Sequence, residues 1–478
     1  MNQHIRLDVT GMTCDGCEDH VSEALARAGL TDIEVDWKRG LASGIDTGSF
    51  DVAKATDVLE GSEYEIVSTA TRDGQIPSPE PGNDTDYDLL ILGSGSAAFA
   101  AAIKARDLGA SVAIIERDTI GGTCVNIGCV PSKALLRPAE LYHQAGHSPF
   151  AGVPTSVGDV DLTELIESKD ELVGVLRQEK YAKLLDVYGI DFIQGTARFS
   201  GPSSVEVNGR TVTAHRYLIA TGASSWVPPI EGLNDSDYLT STTALELTEL
   251  PGELIVVGAN AIGLELGQLF AHLGSKVTWV EALERIAPFE EPEISEILRA
   301  HVESEGATVY ERATALRAGR DGERVWLDID ADGTTIRLEA DRVLMATGRR
   351  ANTTDIGLEL AGIDLDDHGS VIVDAGLATS NPSVWAAGDV TTTPQFVYVA
   401  AASGNMAAEN ALRSSGRAID FRTMPRVTFT TPAIASVGLT EAAALDEGRS
   451  VTTSILPLEA VPRALVNRDT TGVVKLVA

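Results

Sequence analysis

The pattern of apolar and polar positions first predicts a small unit over residues 1–68. Apolar side chains alternate with polar ones over residues 5–9, which is typical of a half-buried strand. Apolar residues then recur at helical spacing over 21–28, as far as the stop signal Gly29. Further short strands and a second helix complete a β-α-β-β-α-β order, which predicts a ferredoxin-like α+β fold.

A different pattern begins at residue 87 and occurs twice. Residues 89–92 form a continuous apolar run, which leads into a glycine-rich turn, an alanine-rich helix and a second apolar strand that ends at Glu116. Residues 254–257 open the same order, which ends at Glu281. Continuous apolar strands that alternate with helices indicate a parallel sheet. The chain is therefore predicted to be α/β, with two Rossmann-like dinucleotide-binding domains.

Charge and apolar content exclude several classes of partner. The 478 residues include 37 basic and 70 acidic ones, which gives a net charge of −33. Such a field repels nucleic acids and anionic lipid surfaces, so we expect neither as a partner. No apolar run reaches the roughly 18 residues of a membrane span, and the N-terminus has no signal-peptide pattern. We therefore expect a cytoplasmic protein.

The four cysteines form two close pairs, Cys14/Cys17 and Cys124/Cys129. In a reducing compartment, paired cysteines indicate metal binding or redox chemistry more often than a structural disulfide. Cys124 and Cys129 lie five residues apart at the predicted start of a helix. The helix N-terminus and Lys133 would lower a thiol pKa there, which suits electron exchange or a soft metal.

The first glycine loop has the features of a dinucleotide site. Gly93 permits a tight turn, Gly95 lets the backbone approach a pyrophosphate, and the helix N-terminus supplies positive charge. Glu116 would accept a hydrogen bond from a ribose hydroxyl. In the second loop, Asn260 stands where the middle glycine is usual, and Glu281 takes the acidic position.

Three further motifs complete a resemblance that runs from about residue 86 to the end of the chain. They are Ala220-Thr221-Gly222, Ala346-Thr347-Gly348-Arg349 and residues 379–389, which end in Ala387-Gly388-Asp389. With residues 121–133 and the two dinucleotide units, they resemble the flavin-dependent pyridine nucleotide–disulfide oxidoreductases. The resemblance implies FAD and NADPH or NADH as cofactors.

The same resemblance implies the role of several residues. Cys129 would be the thiolate against the flavin and Cys124 the exchanging thiol, while Lys133 would lie near flavin N5 with Glu265 as its partner. Asp389 would bind the ribityl chain. The other candidate cofactor-contacting residues are Gly93, Gly95, Ala98, Glu116, Gly122, Thr123, Ala197, Gly222, Gly258, Gly263, Glu281, Gly348, Gly388 and Val397.

Residues 11–17, which contain Cys14 and Cys17, resemble the heavy-metal-associated domain, in which two thiolates bind a soft cation. That domain joined to a disulfide-reductase core resembles the mercuric reductase branch of the family, as do residues 461–470. The resemblance implies reduction of Hg(II) to elemental mercury, small thiols as companions of the metal, and a homodimer. Two alternatives are a dihydrolipoamide dehydrogenase-type disulfide reductase and a metal-binding module on an inactive flavoprotein.

The preference for NADPH or NADH stays open, because Glu281 favours a free 2′-hydroxyl whereas Arg285 could reach a 2′-phosphate.

His143 and His147 could share a helix face, but without a nearby third ligand we interpret them as surface histidines. The expected domains are a heavy-metal-associated domain (1–68), a linker (69–86), an FAD domain (87–250 and 371–424), an NAD(P) domain (251–370) and a truncated dimerisation domain (425–478).

Overall fold

The computed structural model describes residues 3–10, 16–36, 41–46, 48, 50–51, 54–56, 65–71 and 85–478. The chain divides into two compact units, residues 1–83 and 84–478, and each has its own sheets and core. None of the helices within the described ranges is long and apolar enough to cross a bilayer.

The first unit is built on an antiparallel sheet. Its described strands lie in the order Leu30–Asp36, Leu41–Asp46, Gln3–Thr10 and Glu65–Thr71, and the helix Gly16–Arg27 follows the first strand of the chain. Ile5, Leu7 and Val9 are buried, in agreement with their alternation, and they form one core with the helix residues Val21 and Leu25. Most of the predicted second helix lies outside the described residues, of which 54–56 are helical.

The second unit contains a five-stranded parallel sheet. The strand order is Val384–Ala386, Ala214–Ile219, Tyr87–Leu92, Val112–Glu116 and Asp191–Gln194. Helix Ser96–Asp107 joins the two strands of the first predicted dinucleotide unit. Leu89 to Leu92 are all fully buried, because the sheet is covered on both faces.

A second parallel sheet has the strand order Thr308–Tyr310, Lys276–Val280, Glu253–Val257 and Arg342–Met345. Helix Ala261–Leu273 joins its central strands, and helix Pro292–Ser304 leads to its edge strand. The antiparallel strands Ala313–Asp321, Arg324–Ala331 and Thr334–Ala340 share a core with this sheet. The predicted α/β class with two Rossmann-like domains is therefore confirmed.

Helices between the strands of the first sheet carry the cysteine motif. They are Gly122–Asn126, Cys129–Gly146, Leu162–Arg177 and Lys183–Tyr188, with a π-helical turn at Gln178–Ala182.

Helix Val397–Arg413 packs closely on Ser96–Asp107, since a Cβ on Gly404 would lie 2.0 Å from the Ala97 carbonyl oxygen. The shorter elements are Arg198–Gly201, Ser204–Val207, Arg210–Val212, Ala223–Ser225, Leu233–Ser236, Ser241–Ala244, Arg349–Ala351 and Leu358–Ala361.

The last segment of the chain is α+β and is anchored to the second parallel sheet's helices. Its elements are Arg426–Thr428, Ile434–Ser436, Glu441–Asp446, Thr453–Pro457, Leu458–Ala460, Pro462–Asn467 and Val473–Val477. The Gln268 side chain exchanges two hydrogen bonds, of 2.7 and 2.6 Å, with the backbone of Thr431. The buried ammonium of Lys475 contacts the carboxylates of Glu291 at 2.9 Å and Glu441 at 2.8 Å.

Candidate active site

The two central cysteines lie at the junction of two helices. Cys124 is in the short helix Gly122–Asn126, and Cys129 is the first residue of helix Cys129–Gly146. The two helices are separated by Ile127 and Gly128, and a Cβ on Gly128 would lie 2.9 Å from the Thr123 carbonyl oxygen. The two thiols are in hydrogen-bond contact across this break.

The two thiols have opposite electrostatic properties. The Cys124 thiol donates a hydrogen bond to the Cys129 sulfur, which lowers the pKa of Cys129 to about 7 although burial opposes the shift. The positive charge of Lys133 acts in the same direction. The same hydrogen bond and burial raise the pKa of Cys124. Above a pH of about 7, the pair is therefore one thiolate and one thiol.

A partly buried ion pair lies beside the thiols. Lys133 is four residues after Cys129 and so lies on the same helix face. Its ammonium is 2.5 Å from Oε2 of Glu265, whose side chain is only 8% exposed. The other oxygen of Glu265 accepts a hydrogen bond of 2.9 Å from the backbone N–H of Phe429, and the Lys133 ammonium lies 4.8 Å from the centre of the Phe429 ring. Glu265 thus links the cysteine helix to the last segment of the chain.

The first glycine loop packs directly against the cysteine segment. Gly93 has φ +105°, and a Cβ there would lie 2.3 Å from the Ala220 carbonyl oxygen. A Cβ on Gly122 would lie 2.6 Å from Cα of Gly95. The Ser94 hydroxyl donates to Glu116 at 2.6 Å and accepts from the Gly121 N–H at 3.1 Å. The loop, the strand-end acid and the cysteine segment therefore form one connected site.

This site fits FAD. A cavity lined by Gly93, Glu116, Ala197 and Thr221 opens at the carboxyl ends of the first sheet. A Cβ on Gly95 would have as its nearest neighbour Cα of Gly122, 3.9 Å away, so the second glycine leaves room that the protein itself does not fill. No described side chain caps helix Ser96–Asp107 at Gly95, and its first N–H groups can bind a phosphate.

Asp389 lies at the other side of the same sheet, directly after the edge strand and Gly388. Burial raises the pKa of its carboxyl group. The positive charge of Arg349, whose Nε lies 3.8 Å from Oδ2 of Asp389, partly offsets this rise. Burial also lowers the pKa of Arg349. The second ATG-type motif and the Gly-Asp motif therefore meet at a partly buried ion pair.

The second glycine loop has the same turn with different surroundings. Gly258 has φ +98°, and a Cβ on Gly263 would lie 1.9 Å from the Gly258 carbonyl oxygen, so helix and strand are in close contact. The carboxylate of Glu281 is buried and accepts a hydrogen bond of 2.7 Å from the Ala259 N–H. The guanidinium of Arg285 donates to the Pro288 and Glu290 carbonyls of its own turn.

The remaining predicted residues are distributed around these features. Ala98 is fully buried, and Val397 begins a helix and is 37% exposed. Thr123 contacts the turn at Gly128, while Gly222 and Gly348 have φ +67° and +120° with open space around them. Cys14 and the side chain of Cys17 lie outside the described residues.

Tyr181 is a site residue that the sequence analysis missed. Its ring packs edge-to-face on Phe99, with centroids 5.0 Å apart, and a Cβ on Gly121 would lie 3.3 Å from it. Burial raises the pKa of its hydroxyl, and the nearby cysteines add to the shift. Tyr181 lies in the π-helical turn, a feature common at functional sites, but helical periodicity in a sequence does not reveal such a turn.

Comparison with known proteins identifies the class. Residues 87–404 match the family described as pyridine nucleotide-disulphide oxidoreductase, and residues 424–478 match its dimerisation domain. The chain therefore belongs to the pyridine nucleotide–disulphide oxidoreductases and is an FAD-dependent oxidoreductase.

The similarity extends to one branch of this family, the mercuric reductases. A mercuric reductase of Staphylococcus aureus is 48% identical over 99% of this chain and 86% of its own length. A mercuric reductase of Streptomyces lividans is 50% identical over 82% of this chain and 84% of its own. A solved structure of the HOCl-induced flavoprotein disulfide reductase RclA from Escherichia coli has a TM-score of 0.73 and 33% identity, and it covers 82% of this chain and 86% of that one.

Proposed function

We propose that this chain reduces Hg(II) to elemental mercury with electrons from NADPH or NADH, through FAD and the pair Cys124 and Cys129. The observation that carries the proposal is the polarised pair of thiols beside Lys133 and Glu265. Two sulfur ligands at close range match the preference of a soft cation for thiolates. The 48% identity to a mercuric reductase favours the metal over an organic disulfide as the substrate.

The residues that would hold FAD are those of the connected site. The backbone at Gly93, Gly95 and Gly122 would receive the pyrophosphate, Glu116 a ribose hydroxyl and Asp389 the ribityl chain. When bound, FAD supplies a two-electron carrier between the nicotinamide and the cysteines.

The thiols would take Hg(II) from small thiols in two exchange steps. Cys124, the exchanging thiol, forms the first S–Hg bond, and its proton passes to the first departing thiolate. The Cys129 thiolate forms the second bond and releases the second thiolate from the metal. Two electrons then reduce the metal, both S–Hg bonds break, and two protein thiolates remain. In total, Hg²⁺ and NAD(P)H yield Hg(0), NAD(P)⁺ and one proton.

Lys133 and Glu265 have supporting roles in this mechanism. The Lys133 ammonium stabilises the Cys129 thiolate by its charge. The short ion pair to Glu265 keeps that ammonium in place, because the carboxylate is itself held by the Phe429 N–H. The fixed charge of Lys133 therefore maintains the thiolate.

Cys14 and Cys17 would bind Hg(II) in the first unit and deliver it to the central pair. We place the protein in the cytoplasm as a homodimer joined through residues 424–478, with small thiols as carriers of the metal. Replacement of both Cys14 and Cys17 by alanine should leave turnover nearly intact when excess small thiols deliver the metal. A large loss of turnover at saturating metal would contradict a carrier role.

The decisive assay is oxidation of NADPH and NADH by the FAD-loaded chain with Hg(II) and excess 2-mercaptoethanol. Parallel reactions would contain oxidised lipoamide, glutathione disulfide or Cu(II) in place of mercury. We expect turnover with Hg(II) and its reduction to background in Cys124→Ala and Cys129→Ala. Turnover with a disulfide and none with mercury would instead identify a disulfide reductase.

The pH dependence of the thiol offers an independent test. Because the pKa of Cys129 is lowered to about 7, its thiolate should form as the pH rises through about 7. In Lys133→Met the midpoint should move upward, toward that of an ordinary thiol. The rate of alkylation of reduced Cys129 by iodoacetamide, followed by mass spectrometry, measures the midpoint. Lys183→Met, an exposed lysine on a neighbouring helix, is the control. An unchanged midpoint in Lys133→Met would contradict the role of Lys133.

A further inference from the structure

A cluster of histidines surrounds one carboxylate away from the cysteines. His143 and His147 were predicted to be surface histidines; His147 is exposed, whereas the side chain of His143 is partly buried, with 21% of it exposed. The ring of His143 is stacked between those of His147 and His272, with centroids 4.3 and 4.2 Å apart. The missing third ligand lies far along the chain, in Glu305, whose side chain is 17% exposed.

The polar atoms of this cluster converge at distances typical of metal ligands. Nε2 of His143 lies 3.2 Å from Oε1 of Glu305, and Nε2 of His272 lies 3.6 Å from Oε2. One ligand atom from each of His143, His272 and Glu305 lies within 4.8 Å of the other two. Ligand atoms around a tetrahedral zinc ion with bonds of 2.0–2.1 Å are about 3.4 Å apart.

His272 provides a second, independent observation. Its side chain is only 4% exposed. Its Nε2 is shielded from solvent, points toward Glu305, and has no hydrogen-bond partner among the described residues. A buried polar atom without a partner costs free energy, and a bound cation would remove that cost.

A third histidine contacts the same carboxylate. Nε2 of His301 lies 3.2 Å from Oε1 of Glu305 and so helps to position the carboxylate.

We propose that His143, His272 and Glu305 form a binding site for a divalent transition-metal ion of the Zn²⁺ type, separate from the mercury site. The donor set is two imidazoles and one carboxylate with no sulfur, which suits a borderline cation and not a soft one. The bound ion joins helix Cys129–Gly146, which carries Cys129 and Lys133, to helix Ala261–Leu273, which carries Glu265. It therefore fixes the two helices whose N-terminal halves carry the ion pair of the active site.

The test uses the full FAD-loaded chain with all four cysteines replaced by serine, so that thiolates do not bind the added metal. After treatment with a chelator, Zn²⁺ is titrated by calorimetry and bound zinc is counted by elemental analysis. We expect one Zn²⁺ per chain and a higher temperature of unfolding with the metal. In this background, Glu305→Gln and His143→Gln should each weaken Zn²⁺ binding by at least about tenfold. His368→Gln, at an exposed histidine outside the cluster, is the matched control and should bind as the parent does.

Neither replaced residue is among those that would hold FAD, so each variant should retain FAD, and its flavin content reports correct folding. Co²⁺ provides a second readout, because a cobalt ion held by imidazole and carboxylate has visible bands that Glu305→Gln should change. Failure of the cysteine-free chain to bind stoichiometric Zn²⁺ would overturn the proposal. Equal affinity in Glu305→Gln, His143→Gln and the parent would also overturn it, and the cluster would then be a group of histidine–carboxylate ion pairs.

Discussion

The two glycine loops of this chain make the same turn, and they differ in what packs against them. Gly93 and Gly258 have φ +105° and +98°, and a Cβ on either would lie within 2.4 Å of a carbonyl oxygen of the following ATG-type motif. Two residues further on, Gly95 of the first loop faces Gly122 of the cysteine segment. Its counterpart in the second loop, Asn260, is exposed. The first glycine is thus required by the fold, and the second depends on the neighbouring segment and the ligand.

The strand-end acids differ in a related way. Glu116 contacts its loop through the Ser94 hydroxyl, which also binds the cysteine segment. Glu281 binds the backbone of its own loop directly and is buried. The first loop is therefore connected to the cysteine segment, while the second is connected only to its own strand-end acid. Substitutions at matched positions should separate these two roles.

The largest effects are expected from alanine at the first glycine of each loop. Gly93→Ala and Gly258→Ala should each destabilise the protein by about 3 kcal/mol, because the new Cβ meets a carbonyl and φ is positive. Gly93→Ala should lose FAD, while Gly258→Ala should retain FAD and lose binding of NAD(P)H. Thermal unfolding, flavin absorbance and nucleotide titration measure the three quantities. Loss of the same cofactor in both variants would contradict the assignment of FAD to the first loop and NAD(P)H to the second.

A smaller, selective effect is expected at the position opposed by the cysteine segment. In Gly95→Ala the new Cβ would have Cα of Gly122 as its nearest neighbour, at an ordinary contact distance of 3.9 Å. We therefore expect unchanged stability of the FAD-free protein and at least about tenfold weaker FAD binding, because the methyl group occupies the place of the pyrophosphate. Flavin fluorescence titration together with unfolding of the FAD-free protein tests this. A large loss of stability would show that the protein, and not the ligand, requires this glycine.

The smallest effect is expected at Asn260, the counterpart of Gly95. Because Asn260 is exposed, Asn260→Gly should change the KM for NADPH or NADH by less than about threefold, and stability by less than about 0.5 kcal/mol. Steady-state kinetics with each nucleotide and thermal unfolding provide the measurements. A strong gain in nucleotide affinity would mean that the asparagine obstructs the dinucleotide.

Much of this architecture follows from local sequence patterns. Continuous apolar strands, glycine turns and strand-end acids are contiguous features, so they predicted both parallel sheets and placed Cys124, Cys129 and Lys133 together. The break between the two cysteines was missed, because it depends on a close approach at Gly128 that no helical period reveals.

Long-range contacts account for the other differences. His143, His272 and Glu305 come from three separate helical regions, and only the packing of those helices brings them together. Sequence spacing indicates His143 and His147 as a pair, yet His143 also stacks on His272, which lies 129 residues further along the chain. Phe429 was missed for the same reason, since it reaches the site through its backbone N–H, a group every residue but proline possesses.

The double use of the Glu265 carboxylate has a consequence for how the protein is made. Its two partners, Lys133 and the Phe429 N–H, lie on opposite sides of it in the chain, and 164 residues separate Glu265 from Phe429. At a synthesis rate of 5–20 residues per second, the ribosome needs roughly 8 to 33 seconds to add that stretch. A nascent chain that already contains both cysteines therefore still lacks the last contact that holds Lys133 beside them. The reactive thiolate reaches its final environment only after the segment that contains Phe429 has been synthesised and has packed against Glu265.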